Sequence, residues 1–175
     1  HLPALLHSIQ AYADIDLLAA NVKLARDLDA RVPVLKDSAG DFWLPSCRHP
    51  LLVASAKCTP GAVVVPQDLA LNGGQVLVIS GPNAGGKTVA LKSAGLLVRM
   101  CQAALPIPVA DGAWVGRFQK VFCDIGDQQS IARELSSFSA HVSAIASMLT
   151  HAGPETLGLI DELGGATDPD EGQAF

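Results

Sequence analysis

The sequence predicts an α/β domain with a central, mostly parallel sheet, preceded by a short helical segment. Of its 175 residues, 49% are hydrophobic and 17% are charged, which is typical of a compact globular domain. An apolar run rich in β-branched residues at 76–80 leads into a glycine-rich loop, and a helix-forming stretch follows at 88–102. A second apolar run, at 157–160, ends in two adjacent acidic residues. Apolar strands joined by a buried helix predict parallel pairing.

The chain divides near residue 35. Before this point, Leu2, Leu5, Leu6 and Ile9 begin a series of apolar residues at helical spacing. The series predicts either two helices or one helix kinked near Asp14. We interpret residues 1–35 as a helical lever or the end of a preceding core domain, and residues 36–175 as the α/β domain. Because the last residues fall inside a continuing motif, we expect this domain to be incomplete at its C-terminal end.

Short extended pieces between residues 42 and 71 predict an antiparallel sheet at the edge of the central one. They cover residues 42–44, 51–53 and 62–65, and Pro or Gly residues separate them. Residues 121–124 read as another strand of the domain.

Residues 81–88 form the glycine-rich loop, and their order fits the phosphate-binding pattern G-x-x-x-x-G-K-[ST]. Glycines allow the backbone to turn closely, so that successive N–H groups and a helix N-terminus point at a bound phosphate. In such loops the Lys reaches the β- and γ-phosphates, and the hydroxyl residue contacts Mg²⁺. The candidate residues for binding ATP are Gly81, Pro82, Asn83, Ala84, Gly85, Gly86, Lys87 and Thr88.

The apolar run at 157–160 ends in Asp161 and Glu162, the expected partners of a phosphate-binding loop. Adjacent side chains at the end of a strand diverge, so one carboxylate can serve Mg²⁺ while the next faces the γ-phosphate. We assign Asp161 to Mg²⁺ and Glu162 to the attacking water. Together with Lys87, which offsets developing charge, these residues predict ATP hydrolysis.

Charge and cysteine content exclude several other classes. The formal net charge of −5 argues against a broad surface for nucleic-acid backbones within this chain. The four cysteines are scattered without zinc-site spacing, so we expect reduced, mostly buried thiols in a cytoplasmic protein. Neither a signal peptide nor a membrane-spanning run is recognisable, and we expect no membrane partner.

Five motifs resemble the ATPase domain of the MutS family, in the same order. They are Arg-His-Pro-Leu-Leu at 48–52, the phosphate-binding loop at 81–88, Asp-Ile-Gly-Asp-Gln-Gln-Ser at 124–130, Ser-Ser-Phe-Ser-Ala-His at 136–141, and the segment from Asp-Glu to Thr-Asp-Pro at 161–169. The third and fourth are most similar to the second bacterial MutS paralogue, a branch linked to suppression of recombination. The resemblance covers about residues 15 to 175.

This resemblance implies a P-loop NTPase fold of the ABC type, which forms homodimers around composite ATP sites. Each ATP is then completed by the signature segment of the partner subunit, to which Ser136, Ser137 and Ser139 would belong. Gln128 or Gln129 would lie near the metal and water, and Val64 or Val65 near the adenine. The chain departs from the family pattern at Ser137, where Thr is usual, and at Ala166, where Gly is usual.

The same resemblance implies a parent protein that senses branched or mismatched DNA. The branch usually carries a C-terminal nuclease domain, so the parent is expected to be an endonuclease whose DNA-binding domains lie outside this chain. Members of the branch are also linked to collided ribosomes, which adds ribosomal RNA as a candidate partner.

Two other functions fit a phosphate-binding loop. One is a different ABC-type ATPase, such as a transporter subunit, although these carry a Leu-Ser-Gly-Gly-Gln signature that is missing here. The other is a nucleotide-binding switch module without useful turnover. The intact set of Lys87, Thr88, Asp161 and Glu162 argues against a switch in the parent, while a composite site without a partner is expected to be slow.

Overall fold

The computed structural model describes residues 2–82, 85–125 and 134–161, and it describes residues 134–141 by their backbone only. Ten elements follow one another in the described residues. The first five are α1 (Leu2–Leu28), β1 (Val34–Ala39), β2 (Phe42–Cys47), α2 (Pro50–Cys58) and β3 (Gln67–Leu71). The second five are α3 (Lys87–Gln102), β4 (Trp114–Arg117), β5 (Lys120–Asp124), α4 (Glu134–His151) and β6 (Thr156–Ile160).

The strands form two sheets in the described part of the chain. One has the order β1-β4-β2-β3, in which β1 and β4 are parallel while β2 is antiparallel to both β4 and β3. The other pairs β5 with β6 in parallel. The combination of helices with these two sheets confirms the predicted α/β class. The pairing of β2 with β3 confirms the predicted antiparallel pairing within residues 42–71. The predicted strands at 121–124 and 157–160 are confirmed as β5 and β6.

Residues 76–80 form no strand, so the prediction of a central strand there is wrong for the chain as described. Their side chains are largely uncovered, with Val76 86% and Val78 80% exposed, and only Ile79 packs against the main core. A continuous apolar run marks a buried strand only where neighbours cover both faces and pair both edges. The described residues supply no such neighbour strand to this segment.

Two of the three predicted edge pieces differ from the structure. Residues 51–53 lie in α2, because His49 takes an extended N-cap conformation and Pro50 supplies a preset φ at the first helical position. Residues 62–65 are irregular, and the strand begins only at Gln67. Strands β1 and β4 were not predicted.

Helix α1 is one continuous α-helix rather than two, and most of its apolar side chains face solvent. Leu28 is its only buried residue, packed with Ala30 and Val53 in a small second cluster. Tyr12 is 77% exposed, and the other large apolar side chains of the helix from Leu2 to Val22 are also exposed. Only its C-terminal end therefore joins the rest of the described structure. A boundary near residue 35 stays a prediction.

The main core lies between α3 and the strands. Its fully buried side chains include Leu44, Leu97, Ile107 and Val115. A β-carbon added at Gly95 of α3 would collide with Cδ1 of Leu159 on β6. This close approach fixes the helix that follows the phosphate-binding loop directly against the strand that carries the acidic pair.

Burial separates the four thiols into two kinds. Cys47 and Cys101 are buried in the main core, and this burial raises the pKa of each thiol to about 11. Cys58 and Cys123 are exposed, and all four cysteines are free. The expectation that most of the thiols are buried is met for only two of the four, and their reduced state stays a prediction.

Gly116 of β4 is a position where a larger residue is expected to destabilise the fold. A β-carbon there would lie 2.7 Å from the backbone oxygen of Ser38 and would overlap Oδ1 of Asp41. We expect Gly116→Ala to lower the free energy of unfolding by about 1–3 kcal/mol, because backbone must move to admit the methyl group. Urea denaturation measures the change. Gly153→Ala is the matched control, since a β-carbon at Gly153 meets open space.

Candidate functional site

The start of α3 has the backbone geometry that a phosphate-binding loop requires. Gly86, its N-cap, has φ 80° and ψ 16°, a left-handed conformation that costs about 1–2 kcal/mol for a residue with a β-carbon. No side chain of the described residues caps this helix end. Gly86 has no side chain with which to cap the helix, and the positive end of the helix dipole favours an anion at this point.

The loop before α3 makes a tight turn. The N–H of Gly85 donates to the carbonyl oxygen of Pro82 at 2.8 Å, and a β-carbon at Gly85 would lie only 2.9 Å from that oxygen. Gly81 has φ 152°, which also favours glycine. Asn83 and Ala84 fall outside the described residues.

Lys87 folds back across this loop. Its Nζ donates to the carbonyl oxygen of Gly81 at 2.6 Å, which places the ammonium group over the turn between residues 81 and 86. Thr88, the next residue of α3, is half-buried. The ammonium group of Lys87 and the hydroxyl group of Thr88, both candidates for the site, therefore belong to the first turn of α3.

The second half of the site comes from the C-terminal ends of β5 and β6. Asp161 directly follows β6, and its N–H donates to the carbonyl oxygen of Asp124 at 3.0 Å. A cavity of about 370 Å³ is lined by Lys87 and Asp161 together with Leu91, Ile160 and other apolar residues. The fold thus brings Lys87 and Asp161 to one cavity, although more than seventy residues separate them in the sequence.

The donor set at this cavity suits Mg²⁺ better than a transition metal. Asp161, which lines the cavity, and Thr88, which lies beside Lys87 in the first turn of α3, carry hard oxygen atoms, which Mg²⁺ prefers. Among the described residues, no group of three or more His, Cys, Asp or Glu side chains could hold a metal ion. A cation bound here would take its remaining ligands from water and from the phosphates of a substrate, which is how Mg²⁺ usually binds with nucleotides.

Arg48 connects the sheet to the end of α1. Its Nη2 contacts Oδ2 of Asp29 at 3.0 Å and the carbonyl oxygen of Asp29 at 3.2 Å. This hydrogen bond, with the nearby charges of Arg48 and Arg31, lowers the pKa of Asp29. The Arg48 and His49 pair, which local sequence chemistry leaves unassigned, therefore has a structural place at the junction of α1 and α2.

His49 is expected to make the stability of the fold sensitive to pH. Its Nδ1 is buried without a hydrogen-bond partner in the described structure, and burial followed by the charge of Lys92 lowers the pKa of the ring. As the pH falls below the ordinary histidine pKa of about 6.5, the unfolded chain takes up a proton before the folded chain does. The free energy of unfolding should therefore fall on acidification and be recovered above pH 7.

The measurement is urea denaturation of the wild-type chain and of His49→Gln at pH 7.5 and pH 5.5. We expect the variant to lose less stability between the two pH values than the wild type does. His7→Gln, which removes an exposed imidazole of α1, controls for the loss of one histidine. Equal pH dependence in the wild type and His49→Gln would contradict this account.

Comparison with known proteins accounts for this combination of motifs. The family pattern described as MutS domain V matches residues 77–175. The chain belongs to the MutS family. Proteins named Endonuclease MutS2 are similar over nearly its whole length. That of Pelotomaculum thermopropionicum is 46% identical over 169 residues, covering 96% of this chain and 20% of that protein. That of Geobacillus sp. (strain WCH70) is 45% identical over 176 residues, covering 100% and 21%.

A more divergent MutS-family relative, Endonuclease MutS2 of Staphylococcus aureus (strain Newman), is 40% identical over 172 residues, covering 98% of this chain and 21% of that protein. The chain thus spans about a fifth of the length of the relatives that it matches. None of the helices in the described residues combines the length and apolarity needed to cross a bilayer.

Several of the candidate residues are not placed by the structure. Glu162 and Gln128 lie outside the described residues. Ser136, Ser137 and Ser139 belong to α4, of which this part is described by its backbone only. Their roles therefore stay predictions.

The two candidates for the adenine contact have different surroundings. Val64 is half-buried and packs against the cluster of Leu28, Ala30 and Val53. Val65 is 72% exposed. Neither position tests the predicted contact with the base.

Two residues near the site were not selected as candidates. Asp124 ends β5 beside Asp161, and the sequence signal for it was the same as for Asp161, an acidic residue at the end of an apolar strand. Gln67 lies beside Gly86 in space, because a β-carbon on Gly86 would be 3.7 Å from Nε2 of Gln67. Nothing in the local sequence indicates this proximity, which depends on how β3 packs beside α3.

Proposed function

We propose that this chain is the ATP-binding and ATP-hydrolysing core of a MutS-like protein. The observation that carries the proposal is the shared cavity of Lys87 and Asp161, beside a helix that begins at a left-handed glycine without a side-chain cap. Membership of the MutS family, through a match that includes both residues, supports it. The finer P-loop fold of the ABC type belongs to the same proposal.

Binding would use groups that are already close together. The N–H groups of the loop and of the first turn of α3 donate to the phosphates, and the ammonium group of Lys87 exchanges the carbonyl oxygen of Gly81 for phosphate oxygens. Thr88 and Asp161 would hold Mg²⁺, which neutralises charge on the transferred phosphate when it is bound. Glu162 would accept a proton from the attacking water.

The partner subunit would complete the site. Ser136, Ser137 and Ser139 lie near the N-terminal end of α4 (Glu134–His151) as it is described. N–H groups and hydroxyls at a helix N-terminus favour an anionic phosphate. We therefore assign this segment to the ATP of the partner subunit, in a homodimer that closes around two nucleotides.

The parent protein would couple this ATPase to DNA. The relatives are named Endonuclease MutS2, and this chain covers only about a fifth of their length, so DNA binding and cleavage would use regions outside it. The net charge of −5 agrees with that division. Recognition of branched or mismatched DNA, suppression of recombination, a link to stalled ribosomes and a cytoplasmic location are parts of the proposal that follow from the resemblance.

The test is titration of the wild-type chain and of Glu162→Ala with ATP and Mg²⁺, with bound nucleotide and molecular mass measured in the same sample. We expect binding and a shift from monomer to dimer, both stronger in Glu162→Ala because the nucleotide is not consumed. Binding without hydrolysis by the wild type, even at concentrations where it is dimeric, would favour the switch module instead. Absence of binding by a folded chain would contradict the proposal.

A further inference from the structure

Gln67 lies close to the proposed ATP site, although it belongs to none of the motifs that define this site. It is the first residue of β3, and its backbone pairs with Cys47 of β2. Its side chain extends towards the N-terminal end of α3, where Nε2 lies 3.7 Å from the point that a β-carbon on Gly86 would occupy. A strand of the antiparallel sheet thus supplies a polar group to the phosphate-binding loop.

The side-chain amide of Gln67 has no hydrogen-bond partner among the described residues. Gly86, the N-cap of α3, has no side chain that could cap the helix. The backbone groups at a helix N-terminus are N–H donors, so an amide that served the fold here would turn its Oε1 towards them and cap the helix. Because Gln67 does not cap α3 through Oε1, its Nε2 is available as a hydrogen-bond donor. This donor lies beside the N-terminus of α3, where an anion is favoured.

We propose that Gln67 is a further nucleotide-binding residue, whose Nε2 donates a hydrogen bond to a phosphate oxygen of the bound nucleotide. This inference rests on the proposed ATP site and adds to it a residue from outside the loop, the acidic pair and the signature segment. A neutral amide donates to the phosphate without adding charge. The contact also links the order of β3 to the occupancy of the loop.

The experiment compares Gln67→Glu and Gln67→Ala with the wild type. Dissociation constants for ATP, ADP and adenosine are measured by calorimetric titration, and thermal unfolding is recorded for each variant. Gln67→Glu keeps the size of the side chain but replaces the donor with a negative charge. We expect it to weaken ATP binding by about tenfold or more and ADP binding by less, with adenosine unaffected. Gln67→Ala should weaken ATP binding by a smaller factor.

Gln75→Glu is the matched control, because it adds the same charge to an exposed residue at the far end of the segment that leads into the loop. Gln75 accepts a hydrogen bond from Asn72 through Oε1, and a carboxylate keeps this bond. We expect Gln75→Glu to bind ATP as the wild type does. Weakening of equal size in both Glu variants would reduce the effect to general charge repulsion and overturn the proposal.

Two other outcomes overturn the inference while leaving the ATP site intact. Gln67→Glu could raise the unfolding temperature and bind ATP normally, which would identify Gln67 as a helix cap. An equal loss for adenosine and ATP would place the contact on the nucleoside instead of the phosphates. A folded wild type that binds no ATP is a different result, because it contradicts the proposed function itself.

Discussion

Replacing Lys87 with Ala is expected to remove most of the affinity of this chain for ATP. The ammonium group lies over the loop, 2.6 Å from the carbonyl oxygen of Gly81, so it is already close to the place where phosphates would bind. A hydrogen bond to a charged group contributes about 1.5–3 kcal/mol, which corresponds to a roughly 10- to 150-fold weaker dissociation constant when it is lost. The measurement is calorimetric titration with ATP and Mg²⁺.

The control for Lys87→Ala must remove the same charge from the same helix. Lys92 is exposed on α3, more than one turn further along, and it is not among the residues that line the cavity with Asp161. We expect Lys92→Ala to keep most of the affinity for ATP. Equal losses in the two variants would show that only the general positive charge of α3 matters, which would contradict a specific role for Lys87.

Loss of the contact between Lys87 and Gly81 could also loosen the loop. Lys87→Met separates this effect from the loss of charge, because it keeps most of the aliphatic length of the side chain. If the loss of the ammonium group is the cause, Lys87→Met should bind ATP as poorly as Lys87→Ala. Both variants should then unfold within a few degrees of the wild type.

Local signals in the sequence were enough to predict the elements that carry the site. The glycine-rich loop and the helical stretch after it predicted α3, and the apolar runs with acidic ends predicted β5 and β6. These signals hold because Gly86 must adopt a left-handed conformation, and because the side chains of Leu157 and Leu159 must be buried. Both requirements restrict which residue types can stand at these positions, so they can be recognised from the local sequence.

The elements that were missed depend on distant partners. In the described residues β1 pairs with β4 alone, across more than seventy residues. Strand β1 is mostly exposed, and neither strand shows a clear apolar alternation. Residues 76–80 have the apolar content of a buried strand, yet no described strand pairs with them. In each case the decisive factor is pairing between segments that are far apart in the sequence, which local propensity does not encode.

The same distinction applies to the candidate site. Lys87 and Asp161 each lie in a recognisable motif, and their meeting at one cavity follows from the contact of α3 with β6 at Gly95 and Leu159. Gln67 has no motif. Its closeness to Gly86 follows from the packing of an antiparallel strand beside the loop, which only the fold reveals.

Glu162→Gln is expected to leave ATP binding nearly unchanged and to lower the rate of hydrolysis by about 10²- to 10⁴-fold, the usual contribution of a well-placed general base. Asp161 directly follows β6 at the cavity shared with Lys87, and Glu162 is the next residue in the sequence. The amide of Gln cannot take a proton from water, whereas the phosphate contacts of the loop are retained. Phosphate release at saturating ATP, together with the dissociation constant, separates the two effects.

Glu155→Gln is the matched control, because it removes one carboxylate from just before the opposite end of β6, far from the cavity of Lys87 and Asp161. Glu155 contacts Nε of Arg117 at 3.2 Å, and the amide oxygen of Gln can still accept that hydrogen bond. We expect hydrolysis by Glu155→Gln to resemble that of the wild type. If Glu162→Gln instead lost ATP affinity while its bound ATP was hydrolysed at the normal rate, Glu162 would belong to the binding of metal and phosphate, and another residue would have to activate the water.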